Sequence, residues 1–364
     1  MRIVIFAGGS GRRLWPISRV KSPKQFEPIV GDKSTLQMAV GRVLNSYGAD
    51  NVFISTNLNY VDMVRRQLPE LPPEQVIGEP VRRDLAAAVG LALVHLLAND
   101  PAASDEPMAI IWGDSYVSNT AVFLKILKTA ASLLQRDVIE IFFVGETPRF
   151  ANQNLGWLEL GEALDPQAEL PSYRFSGLTY RPPQDVCEAL FAAGTHVWNT
   201  GYFITTPRFV SSLYEQYQPE MWAQLTEIGQ AVGRPDYLET LNRVYPLMDS
   251  ISFDDAILAH MPWNKAAVLH GDLGWSDPGT LYALKEALQP DEDQNLCMGR
   301  VVDTGSRDSL IYNYDEDKLL VAIGLDGMIV VNTEDAILVV HKDQIPLVKK
   351  VVDGFESTDL ETFS

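Results

Sequence analysis

The sequence is short of cysteine, of positive charge and of long apolar runs, and each shortage excludes a class of protein. Two cysteines, Cys187 and Cys297, in 364 residues cannot build a disulfide scaffold, and neither has companion ligands at zinc spacing. Two free, buried thiols in a reducing compartment are expected. Lysine and arginine number 29 against 48 acidic residues, a formal charge of −19. A general nucleic-acid binder needs a basic face, so no nucleic-acid partner is expected. No apolar run approaches the ~20 residues of a membrane-spanning helix. The N-terminal apolar run is too short for a signal peptide. A cytoplasmic location without membrane association is therefore expected.

What is present is ordinary for a globular enzyme, 46% hydrophobic and 21% charged, and long enough for one large domain and a smaller one. Ile3–Ala7 and Asn51–Thr56 are apolar runs of the kind buried on both faces of a parallel sheet. Met108–Trp112 and Ile139–Val144 follow the same pattern. Helices are expected after Ser34, which can cap one carrying Leu36, Ala39, Val40, Val43 and Leu44, and around Asn59–Gln67. An alanine-rich helix runs to about His95, and further helices fill Pro207 to Val244. This βαβα alternation favours an α/β architecture. Gln289–Asn295 is polar and acidic, a linker. After it come short β runs at Gly299–Val302, Ser309–Tyr312, Leu319–Ile323, Met328–Asn332 and Ala336–His341, then a final helix from near Gln344. The expected domains are 1–288 and 296–364.

The most informative stretch follows the first apolar run. Ala7-Gly8-Gly9-Ser10-Gly11-Arg12 removes side chains where backbone must approach something closely. Successive N–H groups in such a turn form a concave anion site. Arg12, Arg13 and Lys24 add positive charge in an otherwise acidic chain. A nucleoside triphosphate is the expected ligand, with Arg13 and Lys24 holding its phosphates; the alternative is a tight turn flanked by surface cations. The dinucleotide fingerprint fails because Leu14 stands where its third glycine belongs, and the Walker Gly-Lys-Ser/Thr is absent.

The run Ala7 to Arg19, closed by Pro23-Lys24-Gln25-Phe26, resembles the signature of the sugar-1-phosphate nucleotidylyltransferases. Leu14-Trp15-Pro16 and Pro23-Lys24-Gln25-Phe26 resemble the mannose-1-phosphate guanylyltransferases among them, although Arg12 replaces the usual Thr. The resemblance implies a nucleotide-diphospho-sugar transferase fold: α/β, with a Rossmann-like, mixed but mostly parallel sheet flanked by helices. It also implies a small C-terminal β-rich, β-helix-like arm that joins subunits in a homodimer and holds no catalytic residue. The implied cofactor is Mg²⁺.

Further site residues come from the same resemblance. Glu79-Pro80-Val81-Arg82-Arg83-Asp84-Leu85-Ala86 is similar to the family's base-side segment, with Asp84 for Asn and Leu85 for Thr. It implies nucleotide contacts from Glu79, Arg83 and Asp84, and a carboxylate such as Glu79 can accept from guanine's ring N–H and amino group together. A helix entrance capped by Asp84 is the alternative. Gly113-Asp114-Ser115 ends a strand where open α/β sheets bind ligands. It implies Gly113 at the nucleotide and Asp114 on the metal, with an N-cap as the alternative for Asp114. Gly274-Trp275-Ser276-Asp277-Pro278-Gly279 implies Asp277 as the second metal carboxylate. Two hard oxygen ligands plus phosphate oxygens and waters suit Mg²⁺.

The implied sugar-phosphate residues are Gly156, Tyr180, Arg181, Asn199 and Asp254. Thr179-Tyr180-Arg181-Pro182 stands where the family has Val-Glu-Lys-Pro. Arg181 keeps the charge and can grip a phosphate with two parallel bonds; Tyr180 cannot replace a carboxylate. The implied reaction transfers a guanylyl group from GTP to a hexose 1-phosphate, mannose 1-phosphate favoured, giving GDP-mannose and pyrophosphate. The alternatives are the same chemistry on another sugar or nucleotide, and a catalytically weak nucleotide-sugar-binding regulator.

Overall fold

The computed structural model of the chain describes residues 1–9, 14–19, 22–29, 31–134, 138–165, 167–277, 279–289, 291 and 293–364. Its large sheet has nine strands. They are β1 (Arg2–Phe6), β2 (Val52–Asn57), β3 (Val76–Glu79), β4 (Met108–Trp112), β5 (Ile141–Glu146), β6 (Gly156–Ala163), β7 (Ser172–Tyr180), β8 (His196–Thr205) and β9 (Ala266–Gly271). Their order is β3-β2-β1-β4-β8-β5-β9-β7-β6. β3, β2, β1 and β4 run parallel, Ile3 opposite Val52 and Ala109. The runs read as doubly buried strands are so: Ile3, Val4, Ile5, Val52 and Ile54 are fully buried.

The expectation of a mostly parallel sheet is corrected beyond β4. β8 pairs antiparallel with both β4 and β5, β7 antiparallel with β9 and β6, and β6 antiparallel with β8 as well. Only β9 against β5 returns to parallel pairing. A strand buried on both faces is an apolar run whichever way it points, so composition carries no direction.

The helices are α1 (Thr35–Tyr47), α2 (Val61–Gln67), α3 (Asp84–Asn99), α4 (Thr120–Leu134), α5 (Gln184–Ala193), α6 (Pro207–Tyr217), α7 (Pro219–Ala231), α8 (Tyr237–Val244), α9 (Leu281–Leu288) and α10 (Ile345–Asp353); α1–α3, α6–α8 and α10 follow the expected places, and α4, α5 and α9 are additional. Ser34 caps α1 in a reciprocal box: Gln37 N–H donates to Ser34 Oγ at 3.2 Å and Ser34 N–H to Gln37 Oε1 at 3.0 Å. α3 is buried from Ala86 to Leu96. Small alanines let it sit in one core with Val4 and Phe6 of β1 and with Leu213, Leu225 and Leu241 of α6, α7 and α8.

The described residues form two compact units. One holds residues 1–8, 39–113 and 117–275; the other holds 9–38, 114–116 and 276–364. The second contains the short strands β10 (Leu296–Met298), β11 (Val301–Thr304), β12 (Leu310–Asn313), β13 (Leu320–Ile323), β14 (Met328–Asn332) and β15 (Ile337–His341). β10, β12 and β14 pair in parallel, as do β11 and β13, and β15 closes antiparallel on β14. Stacked parallel rungs bury one face each; Leu310, Ile329 and Val331 point into a core with Leu281 and Leu284 of α9, Ile345 and Val348 of α10, and Leu14, Ile17 and Ile29 from the start of the chain. Cys187 is buried, but Cys297 is exposed. That corrects the expectation of two buried thiols: Cys297 sits on an outward position of the three-residue strand β10. Among the described residues no helix is long and apolar enough to cross a membrane.

Candidate functional site

Lys24, Asp114 and Asp277 are remote in the chain but meet in one unit. Lys24 opens a short 3₁₀ turn, Lys24–Phe26, behind Pro23. Its ammonium lies 3.4 Å from Asp114 Oδ2 and 3.3 Å from Asp277 Oδ1. Lys24 is 5% exposed, whereas the two carboxylates are 37% and 45% exposed. Burial alone pulls the Lys24 pKa down, but the charges and hydrogen bonds of Asp114 and Asp277 outweigh it and hold the ammonium above its ordinary value. The Asp114 carboxyl is pushed up, chiefly by withdrawal from water and further by Asp277, against the pull of Lys24.

One ammonium between two acids leaves a net negative charge. That donor set fits a hard divalent cation, which needs few protein ligands when phosphates supply the rest. Among the described residues no group of three or more His, Cys, Asp or Glu could hold a metal by protein ligands alone.

Ala7, Gly8, Gly9 and Gly113 follow the ends of β1 and β4. The Ala7 carbonyl accepts from Thr56 Oγ1 at 2.7 Å, and Gly113 N–H donates to the Phe6 carbonyl at 2.9 Å. Gly9 has φ of 111°, which a side chain would strain. Ser10, Gly11, Arg12 and Arg13 lie outside the described residues.

The Glu79–Asp84 segment is clamped by the turn Tyr245–Leu247. Tyr245 OH donates to Glu79 Oε2 at 2.7 Å. Arg83 Nε donates to the Pro246 carbonyl at 3.0 Å, and Arg83 Nη2 reaches the same oxygen. The Arg83 guanidinium is thus spent on backbone. Burial pushes the Glu79 carboxyl up to about 7; the Tyr245 bond and Arg82 oppose that rise, and Asp84 adds to it. Asp84 starts α3 with φ of 61°, a left-handed backbone that Asn and Asp tolerate better than most residues. It is the first helical residue rather than the cap before it, and its Oδ1 accepts from Leu85 N–H at 2.8 Å.

Gly156, Tyr180 and Asn199 converge. A Cβ at Gly156 would meet Asn199 Cβ at 3.4 Å and Tyr180 Cδ2 at 3.6 Å. The Arg181 guanidinium lies over the Tyr180 ring, 5.1 Å from its centroid, and its Nε donates to the Asn154 carbonyl at 3.1 Å. Arg181 also carries φ of 47°, uncommon for a long side chain and a local strain. Asn199 Oδ1 accepts from Gly201 N–H at 2.9 Å. Asp254 begins a π-turn, Asp254–Leu258; withdrawal from water raises its pKa first, then Asp255 and Asp84. Its charged neighbour Asp84 belongs to the base-side segment, not to the Gly156 set.

Two contributors have no local signal in the sequence. Tyr245 reaches Glu79 across 166 positions. Glu146, fully buried at the end of β5, accepts from Leu273 N–H at 2.9 Å and from Arg149 at 3.0 Å, while Arg149 also donates to the Trp275 carbonyl at 3.1 Å. That network fixes the backbone at Leu273 and Trp275.

Comparison with known proteins shows the family. Residues 2–294 match the family model "Nucleotidyl transferase", and residues 299–354 match "MannoseP isomerase/GMP-like beta-helix domain". Mannose-1-phosphate guanylyltransferase 2 of Escherichia coli O157:H7 is 28% identical over 363 residues, 96% of this chain and 72% of that protein. Mannose-1-phosphate guanylyltransferase of Klebsiella pneumoniae is 30% identical over 354 residues, 96% of this chain and 73% of that protein. A solved structure from Thermus thermophilus, described as a mannose-1-phosphate geranyltransferase, superposes with a TM-score of 0.84 at 24% identity, covering 98% of this chain and 99% of that one. The chain shares that fold.

Proposed function

Because the chain belongs to the nucleotidyl transferase family, we propose that it transfers the guanylyl group of GTP to mannose 1-phosphate, giving GDP-mannose and pyrophosphate. A phosphate oxygen of the sugar ester attacks the α-phosphorus of GTP. The bond from that phosphorus to the bridging oxygen breaks, and pyrophosphate leaves with the electron pair. The attacking phosphate is ionised near neutral pH, so no strong base is needed, and catalysis rests on alignment and charge stabilisation.

The observation that carries this reading is the Lys24 ammonium held 3.3–3.4 Å from two converging carboxylates. Lys24 offsets charge developing at the α-phosphorus. Arg13 and the amides of residues 8–11 hold the departing phosphates. Asp114 and Asp277 would hold Mg²⁺, which when bound supplies positive charge against the triphosphate oxygens. Glu79 reads guanine with its carboxylate, which the Tyr245 OH orients by donating to Oε2. Arg83 braces the Tyr245–Leu247 turn, and Asp84 sets the entry of α3 beside the base. Gly156, Tyr180 and Asn199 receive the sugar and Arg181 aims its phosphate; Asp254, whose charged neighbours include Asp84, adds a carboxylate acceptor on the base side. A cytoplasmic homodimer completes the proposal.

The test is purified protein with Mg²⁺, each of the common nucleoside triphosphates and a panel of hexose 1-phosphates, scored for pyrophosphate. Release with GTP and mannose 1-phosphate above all other pairs is expected. Preference for another sugar would move the substrate; binding of nucleotide sugar without any turnover would replace the enzyme by a regulator.

A further inference from the structure

Resting on the role given to Lys24, we infer that Asp335 and Tyr314, both in the C-terminal β-rich region, are positioning residues that hold the Lys24 turn in register with Asp114 and Asp277. The turn is braced on both sides. On its N-terminal side Arg19 forms a two-pronged ion pair with Asp335, Nη1 to Oδ2 at 2.9 Å and Nη2 to Oδ1 at 2.5 Å. Such parallel bonds fix direction as well as distance. Trp15 Nε1 adds a bond to the Phe363 carbonyl at 2.7 Å, and Arg19 Nη1 reaches the same oxygen at 3.3 Å.

The brace is relayed to Lys24 through backbone. Arg19 and Ser22 exchange both main-chain bonds, at 2.9 and 3.1 Å. Ser22 Oγ then donates to Glu27 Oε1. The segment holding Lys24 is thereby closed between Ser22 and Glu27. On the C-terminal side Tyr314 OH donates to the Pro28 carbonyl at 2.8 Å, with Tyr312 OH behind it at 3.4 Å. Leu14, Ile17 and Ile29 anchor the same segment in the core of β12, β14 and α10.

Lys24 meets both carboxylates at 3.3–3.4 Å, the long edge of hydrogen-bond range. A small slip of the turn therefore breaks its pairing with one or both acids. Misplacement on the order of 1 Å costs about 10²-fold in rate where catalysis depends on alignment. Asp335 and Tyr314 touch no reacting atom; they act on the position of the ammonium.

The experiment compares wild type, Asp335→Asn and Tyr314→Phe by hydrogen exchange over peptides within residues 14–29, and by kcat and KM for GTP and mannose 1-phosphate. The substitutions are then repeated in a Lys24→Ala background. Faster exchange confined to 14–29, a fall in kcat of about tenfold or more with KM for mannose 1-phosphate unchanged, and no further fall on top of Lys24→Ala are expected. Unchanged exchange, or faster exchange with unchanged kcat, overturns the inference. An equal loss of kcat with and without Lys24 also overturns it, since the effect would then bypass the ammonium. Failure of the underlying reading shows separately, as full turnover in Lys24→Ala alone.

Discussion

Lys24 keeps its charge in a place that water barely reaches, because Asp114 and Asp277 stand beside it. Removing it leaves the two acids with no local cation among the described contacts of that cluster. Lys24→Ala and Asp277→Ala are each expected to lower kcat by about 10²–10³ while the protein stays folded, as pyrophosphate release and circular dichroism together would establish. Glu79 offers a second residue-scale test. Burial raises its pKa to about 7, and only the ionised carboxylate can accept from both guanine donors. Protonation therefore competes with GTP as pH falls through about 7. KM for GTP is expected to rise below that pH, and the dependence to flatten in Glu79→Gln, where no proton can bind. The GTP phosphates titrate equally against both proteins, so the difference between the two profiles isolates Glu79. Identical profiles would remove Glu79 from base recognition.

At the scale of elements, α9 and the loops before β12 and after β15 are tied by one buried acid. Asp308 accepts from Lys285 Nζ at 2.7 Å, from Lys342 Nζ at 2.5 Å and from Tyr282 OH at 3.0 Å. Burial works against its charge, but these bonds win and hold its pKa below the ordinary value. A lowered carboxyl pKa stabilises the fold above the unfolded value and loses that contribution as pH falls through the folded value. Asp308→Asn strands Lys285, which is 1% exposed, without a counter-charge. Breaking a buried pair in this way costs about 3–5 kcal/mol, read as a lower denaturation midpoint and a lost acid limb of the stability profile. An unchanged midpoint would mean the cluster is dispensable.

At the scale of the whole chain, Lys24 meets one acid, Asp114, from 90 positions away and the other, Asp277, from 253 positions away. A divalent cation would join these distant segments, so EDTA is expected to abolish pyrophosphate release and added Mg²⁺ to restore it. Undiminished release in EDTA would exclude the metal from the two acids.

The run of buried strands, the alanine-rich α3 and the Ser34 cap were legible because each depends on residues within one or two turns of one another. Lys24, Asp114 and Asp277 could be singled out as candidates because each sits inside a recognisable motif; their meeting could not. Local pattern could not supply strand direction past β4, the exposure of Cys297, the commitment of Arg83 to the Pro246 carbonyl, or the bond from Tyr245 to Glu79. Nor could it show that the segment carrying Lys24 is framed by Asp335 and Tyr314. Sequence by itself determined which chemical groups this protein owns and which secondary elements carry them. Tertiary structure alone decided which groups meet, because a contact between residues hundreds of positions apart is selected by the packing of the whole chain and leaves no trace in the composition of either neighbourhood.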